Sequence, residues 1–240
     1  MECFEEIPLY FQKEMIIGII KPSGMTSHDV VNKIRTITGE KRVGHGGSLD
    51  PFAEGVLVIG ISRESTKQLQ DILKNTDKEY IAVMELGKIS ATGDPDGKIE
   101  ESDNRESISK ISKADFKEVL KKFVGEIEQT PPDYSAIKVN GVPAYKKARK
   151  GEPLALKKRK VLIKKLELVN FSSPLVKIRA VVSSGTYIRS LVEDIGNALG
   201  VGAYTKELIR TRVGQFRLGN CKTIDEFKKD AQNPYTPAPN

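Results

Sequence analysis

Two runs of six residues, Met15 to Ile20 and Val56 to Ile61, carry no polar side chain at all. A strand with no polar face has to be covered on both sides, so each run predicts a buried strand and demands other elements around it. Both fall far short of the roughly 18 to 20 apolar residues of a membrane span, as does every other apolar run. A chain of 240 residues can bury one substantial core, so a single main domain is the expectation. With 38% hydrophobic and 30% charged residues, the composition is that of a soluble globular protein rather than a disordered or fibrous one.

Around these runs, helix and strand signals alternate. Thr26 or Ser27 can cap a helix that carries Val30, Val31, Ile34 and Ile37 on one face and ends at Gly39. A second helix is predicted over Ser62 to Lys74, with Leu69, Ile72 and Leu73 turned inward, and a strand over Glu79 to Leu86. The turn-rich stretch Gly93-Asp94-Pro95-Asp96-Gly97 follows. Lys113 to Val124 has the clearest helical spacing, with Phe116, Val119, Leu120 and Phe123 on one face and Gly125 just beyond. Thr130-Pro131-Pro132 and Asn140-Gly141 break the chain, and Pro143 to Lys150 reads as a short helix stopped by Gly151. Val161 to Phe171 and Val176 to Ser183 predict an antiparallel hairpin. Thr186 to Leu199 predicts a helix burying Ile188, Leu191, Val192, Ile195 and Leu199. The end, Asn233 to Asn240, is expected to fray. Hairpins and helices in mixed order predict an α+β fold, with a mixed, mainly antiparallel central sheet flanked by helices.

The net charge of +7 is unevenly spread. Between Lys138 and Lys165 stand eleven basic residues against Glu152 alone, a balance of +10 that leaves −3 for the rest of the chain. Such a concentration suits a polyphosphate backbone, which draws cations from a distance and releases counterions on binding. Lys146, Lys147, Arg149, Lys150, Lys157, Lys158, Arg159 and Lys160, with Tyr145 among them, are therefore candidate nucleic-acid contacts. A solvated lysine-rich surface is the plainer reading, and charge alone does not separate RNA from DNA. Two cysteines, Cys3 and Cys221, and two histidines, His28 and His45, are too few for a disulfide framework or a multi-histidine metal centre. The opening Met-Glu-Cys-Phe-Glu-Glu is acidic where a secretory signal is basic, so a cytosolic protein working without a metal is expected.

The segment Gly44-His45-Gly46-Gly47-Ser48-Leu49-Asp50-Pro51 lies between the helix ending at Gly39 and the strand starting at Val56. Its glycines predict a loop whose backbone can approach a ligand closely. It is no phosphate loop, because the GxxxxGK[ST] spacing is absent. Pro51 biases Asp50 toward an extended conformation. On these residues alone, Asp50-Pro51 is a turn.

Read through to Leu57, the string GHGGSLDPFAEGVL closely resembles the signature of the bacterial tRNA pseudouridine-55 synthase family. Three further stretches resemble the same family in order. The first is Lys21-Pro22-Ser23-Gly24-Met25-Thr26-Ser27. The second is Lys78-Glu79-Tyr80, followed by Gly87 and the Thr92-Gly93-Asp94 turn. The third is Ser184-Gly185-Thr186-Tyr187-Ile188-Arg189-Ser190-Leu191. The resemblance covers the chain from about Lys21 to Leu218. The resemblance implies the pseudouridine synthase fold, with a catalytic domain over residues 1–225 and an RNA-clasping basic insertion at about 130–160. A tail, 226–240, would stand in place of a separate C-terminal RNA-binding domain.

The same resemblance implies an enzyme that isomerises uridine 55 of the tRNA T loop, cutting the glycosidic bond at N1 and rejoining the base through C5. No cofactor is implied. Asp50 would act as nucleophile, or as base in a glycal route. Arg189 would pair with Asp50 through its guanidinium fork. Tyr80 would stack on the flipped base, its hydroxyl near the proton that leaves C5. Substrate contacts would be His45, Tyr80, Tyr187 and Leu208, since an extruded base must find new stacking partners. Taken singly, these residues read as core aromatics, a core leucine, a loop histidine and a solvated arginine. The implied partner is tRNA through its T-stem loop, with no membrane and no obligate protein partner. The alternatives are a guide-RNA-dependent relative, which should carry the C-terminal RNA-binding domain and protein partners, and a non-catalytic RNA-folding chaperone. The latter has no need of Asp50, Tyr80 and Arg189 together. Ser48 departs from the family's usual threonine or alanine, and Glu54 from its small or hydroxyl residue.

Overall fold

The computed structural model describes residues 15–74, 76–135, 137–139, 141–152 and 154–232. Cys3, Asn140 of the Asn-Gly turn and the stretch 233–240 expected to fray lie outside the described residues. The chain opens with strand β1 (Met15–Lys21), helix α1 (Ser27–Thr38), strands β2 (Val43–Gly46) and β3 (Glu54–Ile61), and helix α2 (Arg63–Lys74). Strands β4 (Lys78–Leu86), β5 (Lys88–Ser90) and β6 (Ile99–Glu101) follow, then helix α3 (Lys113–Lys121) and strand β7 (Gly125–Gln129). Two short strands, β8 (Lys138–Val139) and β9 (Val142–Pro143), lead into helix α4 (Ala144–Ala148). The long hairpin is β10 (Arg159–Ser172) with β11 (Leu175–Val182), and helix α5 (Ile188–Ala198) comes next. Strand β12 (Ala203–Val213), the short strands β13 (Phe216–Arg217) and β14 (Lys222–Thr223), and helix α6 (Ile224–Gln232) follow. The class is α+β, a mixed sheet with flanking helices, as the mixed order of hairpins and helices predicts. No helix among the described residues is long and apolar enough to cross a membrane. The chain divides into two compact units, Met1–Lys78 with Ile209–Asn240, and Glu79–Leu208.

In the first unit β1 and β3 pair antiparallel, with Ile19 opposite Leu57. Strand β3 also pairs antiparallel with β2, and parallel with β12 through Ile209 and Arg210. Leu57 and Ile59 join Ile19, Val30, Ile34 and Phe227 in one apolar cluster, while Val56 and Val58 join Leu69, Leu73 and Val213 in another. Alternate residues of β3 thus enter two different cores, which is why its run has no polar position. Thr26, not Ser27, caps α1. Its hydroxyl accepts from the Asp29 N–H while Asp29 reaches back to the Thr26 N–H, a capping box. Gly39 closes the helix in the left-handed region at φ 69°.

Three expectations fail in this unit. Of the run Met15 to Ile20 only Ile19 is buried, and the other residues are half-buried. Gly44-His45-Gly46 is not a loop but β2, and its glycines make room for α2. A Cβ on Gly46 would lie 1.9 Å from Leu73 Cδ1, and one on Gly44 2.9 Å from Thr66 Cγ2. Ile72 is not turned inward but 42% exposed. The buried stripe of α2 runs through Ser65, Leu69 and Leu73 at four-residue spacing and leaves Ile72 at its margin.

In the second unit the strand order is β12, β4, β11, β10, β7. The hairpin is antiparallel as expected, Leu166 facing Ala180, and β7 adds antiparallel to β10 with Gln129 opposite Arg159. Helix α3 packs on β10, its Phe116 ring 5.6 Å from that of Phe171. It ends at Lys121, short of the expected Val124, and Gly125 turns the chain into β7 at φ 107°. Glu85 on β4 is buried, accepts from the Tyr204 hydroxyl (3.0 Å) and Lys206 (2.9 Å), and pairs with Lys88 at 2.7 Å. Burial alone would raise this carboxyl, but the three donors outweigh it and bring it down from 4.5 to about 2. Burial and Glu85 together push Tyr204 up to about 12. A carboxyl whose folded pKa is depressed stabilises the fold above its ordinary pKa, and the contribution disappears as the pH falls toward the folded value. Glu85→Gln is therefore expected to flatten the loss of stability between about pH 5 and about pH 2. Circular-dichroism melts across that range that fall as steeply as the wild type's would contradict this.

Candidate active site

The loop that carries Asp50 is held by its carbonyls. Gly47 O and Ser48 O accept from the Arg210 guanidinium at 2.7 and 3.3 Å, and Leu49 O accepts from the Ser27 hydroxyl at 3.1 Å. Asp50 O accepts from the Ala53 N–H at 3.1 Å. Pro51 O accepts from Lys21 Nζ at 3.1 Å and the Gly24 N–H at 2.8 Å, and Phe52 O from the Ser23 hydroxyl at 2.8 Å. Every carbonyl from residue 47 to residue 52 is therefore bonded. Ser27, free of capping duty, also accepts from the Leu49 N–H at 2.9 Å. Lys21 completes its set on Pro22 O and Met25 O at 2.8 and 2.6 Å. Arg210 additionally grips Val56 O at 2.7 Å through Nε. Gly55 is required beside it, since at φ 108° a Cβ would stand 2.3 Å from Arg210 O. The backbone of Asp50 has one place to go.

Positive charge is packed beneath this loop. Lys21 is 0% and Arg210 1% exposed. Burial lowers Lys21 to about 8, a fall that the charge of Asp50 resists and that of Arg210 deepens. Burial and then Arg210 lower Lys78 to about 8 as well. His45 on β2, opposite Ile59, is held below its usual pKa by burial, then by Arg210 and His28, so its ring is neutral near pH 7. Its Nδ1 is buried with no hydrogen-bond partner among the described residues. Sequence reasoning quotes Lys21 only as part of a motif and passes over Arg210. A buried arginine in a strand leaves no mark that distinguishes it from one facing solvent.

The second unit holds the remaining candidates. Arg189, in the first turn of α5, is 3% exposed and not a solvated helix-face arginine. Its Nη1 donates to Thr92 O at 2.7 Å and lies 3.4 Å from Asp94 Oδ2, and its Nη2 donates to Tyr134 O at 2.8 Å. Asp94 is oriented in turn by the Thr92 hydroxyl and the Asp96 N–H. Half-buried Tyr187 immediately precedes α5, while Tyr80 on β4 and Leu208 on β12 are buried. Lys146 and Lys147 lie on α4, and the Arg149 guanidinium stands 5.7 Å from the Tyr145 ring centroid, a cation–π contact. Lys150, Lys157, Lys158, Arg159 and Lys160 are all exposed, with Lys160 paired to Glu126 at 2.9 Å. An exposed pair of that kind adds little stability and leaves the lysine available.

Residues 35–188 match the model of the TruB family pseudouridylate synthase N-terminal domain, and residues 189–235 that of the tRNA pseudouridylate synthase B C-terminal domain. Together they run from within α1 to just past α6, which sets the class, a pseudouridylate synthase. The chain belongs to the TruB family. It is 42% identical over 223 residues to the tRNA pseudouridine synthase B of Phocaeicola vulgatus, covering 90% of this chain and 93% of that one. It is 43% identical to the protein of the same name from Parabacteroides distasonis, covering 88% and 91%, and 43% identical to that of Pseudomonas fluorescens, covering 89% and 68%. Among solved structures it is similar to a Cbf5–Nop10–Gar1 complex, with a TM-score of 0.71 and 31% identity over 96% of this chain and 59% of that one. It is also similar to an H/ACA RNP bound to a substrate RNA containing 2′-deoxyuridine, with a TM-score of 0.67 and 29% identity over 92% and 56%.

Proposed function

We propose that this chain converts uridine 55 in the T loop of tRNA to pseudouridine, with Asp50 as the catalytic aspartate. The observation that carries the reading is the bonding of all six carbonyls around Asp50, which fixes one carboxylate on a backbone that cannot drift. In the reaction the bond from C1′ to N1 breaks and one from C1′ to C5 forms. A proton leaves C5 and N1 ends protonated, so nothing is added and no cofactor is called for. An ionised carboxylate can attack C1′ or take a proton from the sugar, and both routes begin from Asp50. Arg189 serves as the cation of the reaction, a task for a buried guanidinium with fixed fork geometry. Tyr80, Tyr187, Leu208 and the neutral His45 take up the extruded base, each offering a ring or an apolar side chain in place of its former stack. The basic residues from Lys146 to Lys160, all exposed except half-buried Lys147, hold the phosphate backbone, and the segment at about 130–160 clasps the RNA within a catalytic region of residues 1–225. On this reading the enzyme acts on tRNA in the cytoplasm without an obligate protein partner.

The test is tritium release from an unmodified tRNA transcript whose uridines carry tritium at C5. One tritium per tRNA is expected, and none once uridine 55 is replaced by cytidine. No release from the unaltered transcript sinks the proposal, and undiminished release from the cytidine variant removes the assigned target.

A further inference from the structure

Gln129, the last residue of β7, is 1% exposed and makes both its hydrogen bonds to the backbone of one residue. Its Nε2 donates to Tyr187 O at 3.0 Å, and its Oε1 accepts from the Tyr187 N–H at 2.8 Å. A carboxamide carries donor and acceptor side by side at every pH and so can imitate a strand neighbour, and the partners leave no choice about which end is oxygen. Tyr187 needs such a neighbour. It stands at the N-cap of α5 in an extended conformation, φ −102° and ψ 116°, and makes no side-chain cap bond. The next residues of the same stretch continue the attachment. Ser190 Oγ donates to Thr130 O at 2.9 Å, and Arg189 Nη2 to Tyr134 O at 2.8 Å. One residue on, Ser135 O accepts from the Tyr145 N–H at 3.1 Å, and Ile137 O from the Ala144 N–H at 2.7 Å, which ties on the start of basic helix α4.

We infer that Gln129 is a positioning residue for the isomerisation, setting the Tyr187 backbone so that Tyr187 and Arg189 are presented in register with the basic segment. The inference rests on the roles proposed above for Tyr187 and Arg189. Gln129 is itself buried, so its effect passes through the residues it holds. Without the two bonds the first turn of α5 can rotate or slide, and displacement of an oriented group by a fraction of an ångström to 1 Å is enough to slow chemistry while binding persists.

Two substitutions test it. Gln129→Met keeps the length and volume of the side chain and removes both bonds. Gln129→Glu keeps the shape and makes the outcome depend on pH. The protonated carboxyl can donate to Tyr187 O and accept from the Tyr187 N–H, whereas the carboxylate has no proton to donate and sets charge against the carbonyl. Burial raises the pKa of a carboxyl, so this titration falls in an accessible range. The expected result for Gln129→Met is a single-turnover rate at saturating tRNA lowered by roughly tenfold to a hundredfold, with filter binding of tRNA retained. For Gln129→Glu the rate relative to wild type is expected to be highest at about pH 6 and to decline toward that of Gln129→Met by about pH 9. A residue that only fills space would give a flat ratio. Wild-type turnover in Gln129→Met, or a flat ratio in Gln129→Glu, overturns the inference. Should Gln129→Met fail to fold, the pH series alone decides. Asp50→Asn and Arg189→Ala run in parallel separate the two levels. If these still turn over, the site reading fails; if they are inactive while both Gln129 variants match wild type, only the role of Gln129 does.

Discussion

Asp50→Asn leaves the protein folded and lowers pseudouridine formation by on the order of 10³-fold or more. The first half of this expectation comes from where the loop is held. The bonds that fix residues 47–52 end on backbone carbonyls, and the donors are Arg210, Ser27, Lys21, Ser23 and two backbone N–H groups. None of them ends on the Asp50 carboxylate, asparagine has nearly the same shape, and only Lys21, whose ammonium the Asp50 charge supports, is weakened by the change. The second half comes from chemistry. A carboxamide cannot attack C1′ to any useful extent, and it cannot accept a proton from the sugar near neutral pH. On the roles proposed above, binding and base extrusion still draw on the basic segment and the stacking residues, so tRNA affinity is expected to be retained. The measurement is single-turnover tritium release beside a thermal melt and filter binding. Equal release from the two proteins would remove Asp50 from the chemistry, and a collapsed melt would show that its carboxylate also holds the loop together.

What the sequence shows unaided is governed by how locally each cause acts. The buried strand Val56 to Ile61 is legible because both of its faces enter apolar clusters, and α1 because its capping box and its Gly39 terminus lie within its own residues. Strand β2 is not legible. Its glycines look like loop punctuation, while their cause is α2, some twenty residues further on, whose Leu73 and Thr66 occupy the space a Cβ would need. Strand β12 escapes notice because charged Lys206, Glu207, Arg210 and Arg212 interrupt its apolar residues, and the partners of Lys206 and Arg210 are distant in sequence. Helix α6 escapes because only Phe227 and Ala231 of its nine residues are buried. The site divides in the same way. Asp50 alone reads as a turn and becomes a candidate only through the motif around it. Lys21 and Ser27 lie in a motif that does not say what they hold, and Arg210 grips that turn across up to 163 residues of sequence with no local pattern to announce it.

Arg210→Met is expected to cost about 1–3 kcal/mol of stability and most of the activity. The guanidinium serves the buried Val56 O and the part-buried Ser48 O and Gly47 O; a buried acceptor left without a donor costs about 1 kcal/mol or more, and one within reach of water costs less. Methionine replaces the aliphatic stem but offers those carbonyls nothing. One consequence works the other way. Arg210 is among the causes that depress Lys21, Lys78 and His45, so its removal relieves charge repulsion and lets all three rise toward their ordinary values. That relief recovers part of the cost without restoring the loop, because a neutral neighbourhood does not hold Gly47 and Ser48 in place. Arg210→Lys should fall between, since it keeps the charge but cannot fork across three carbonyls at once. The comparison needs melts of all three proteins, single-turnover rates at a temperature where each is folded, and the His45 titration followed by NMR. An Arg210→Met protein that melts like wild type would mean the three bonds add nothing to stability. A folded Arg210→Met protein that turns over at the wild-type rate would mean that the placement of Asp50 does not depend on this grip. An upward shift of His45 in the same variant, with activity lost, would separate the two roles of the arginine, electrostatic for the histidine and mechanical for the aspartate loop.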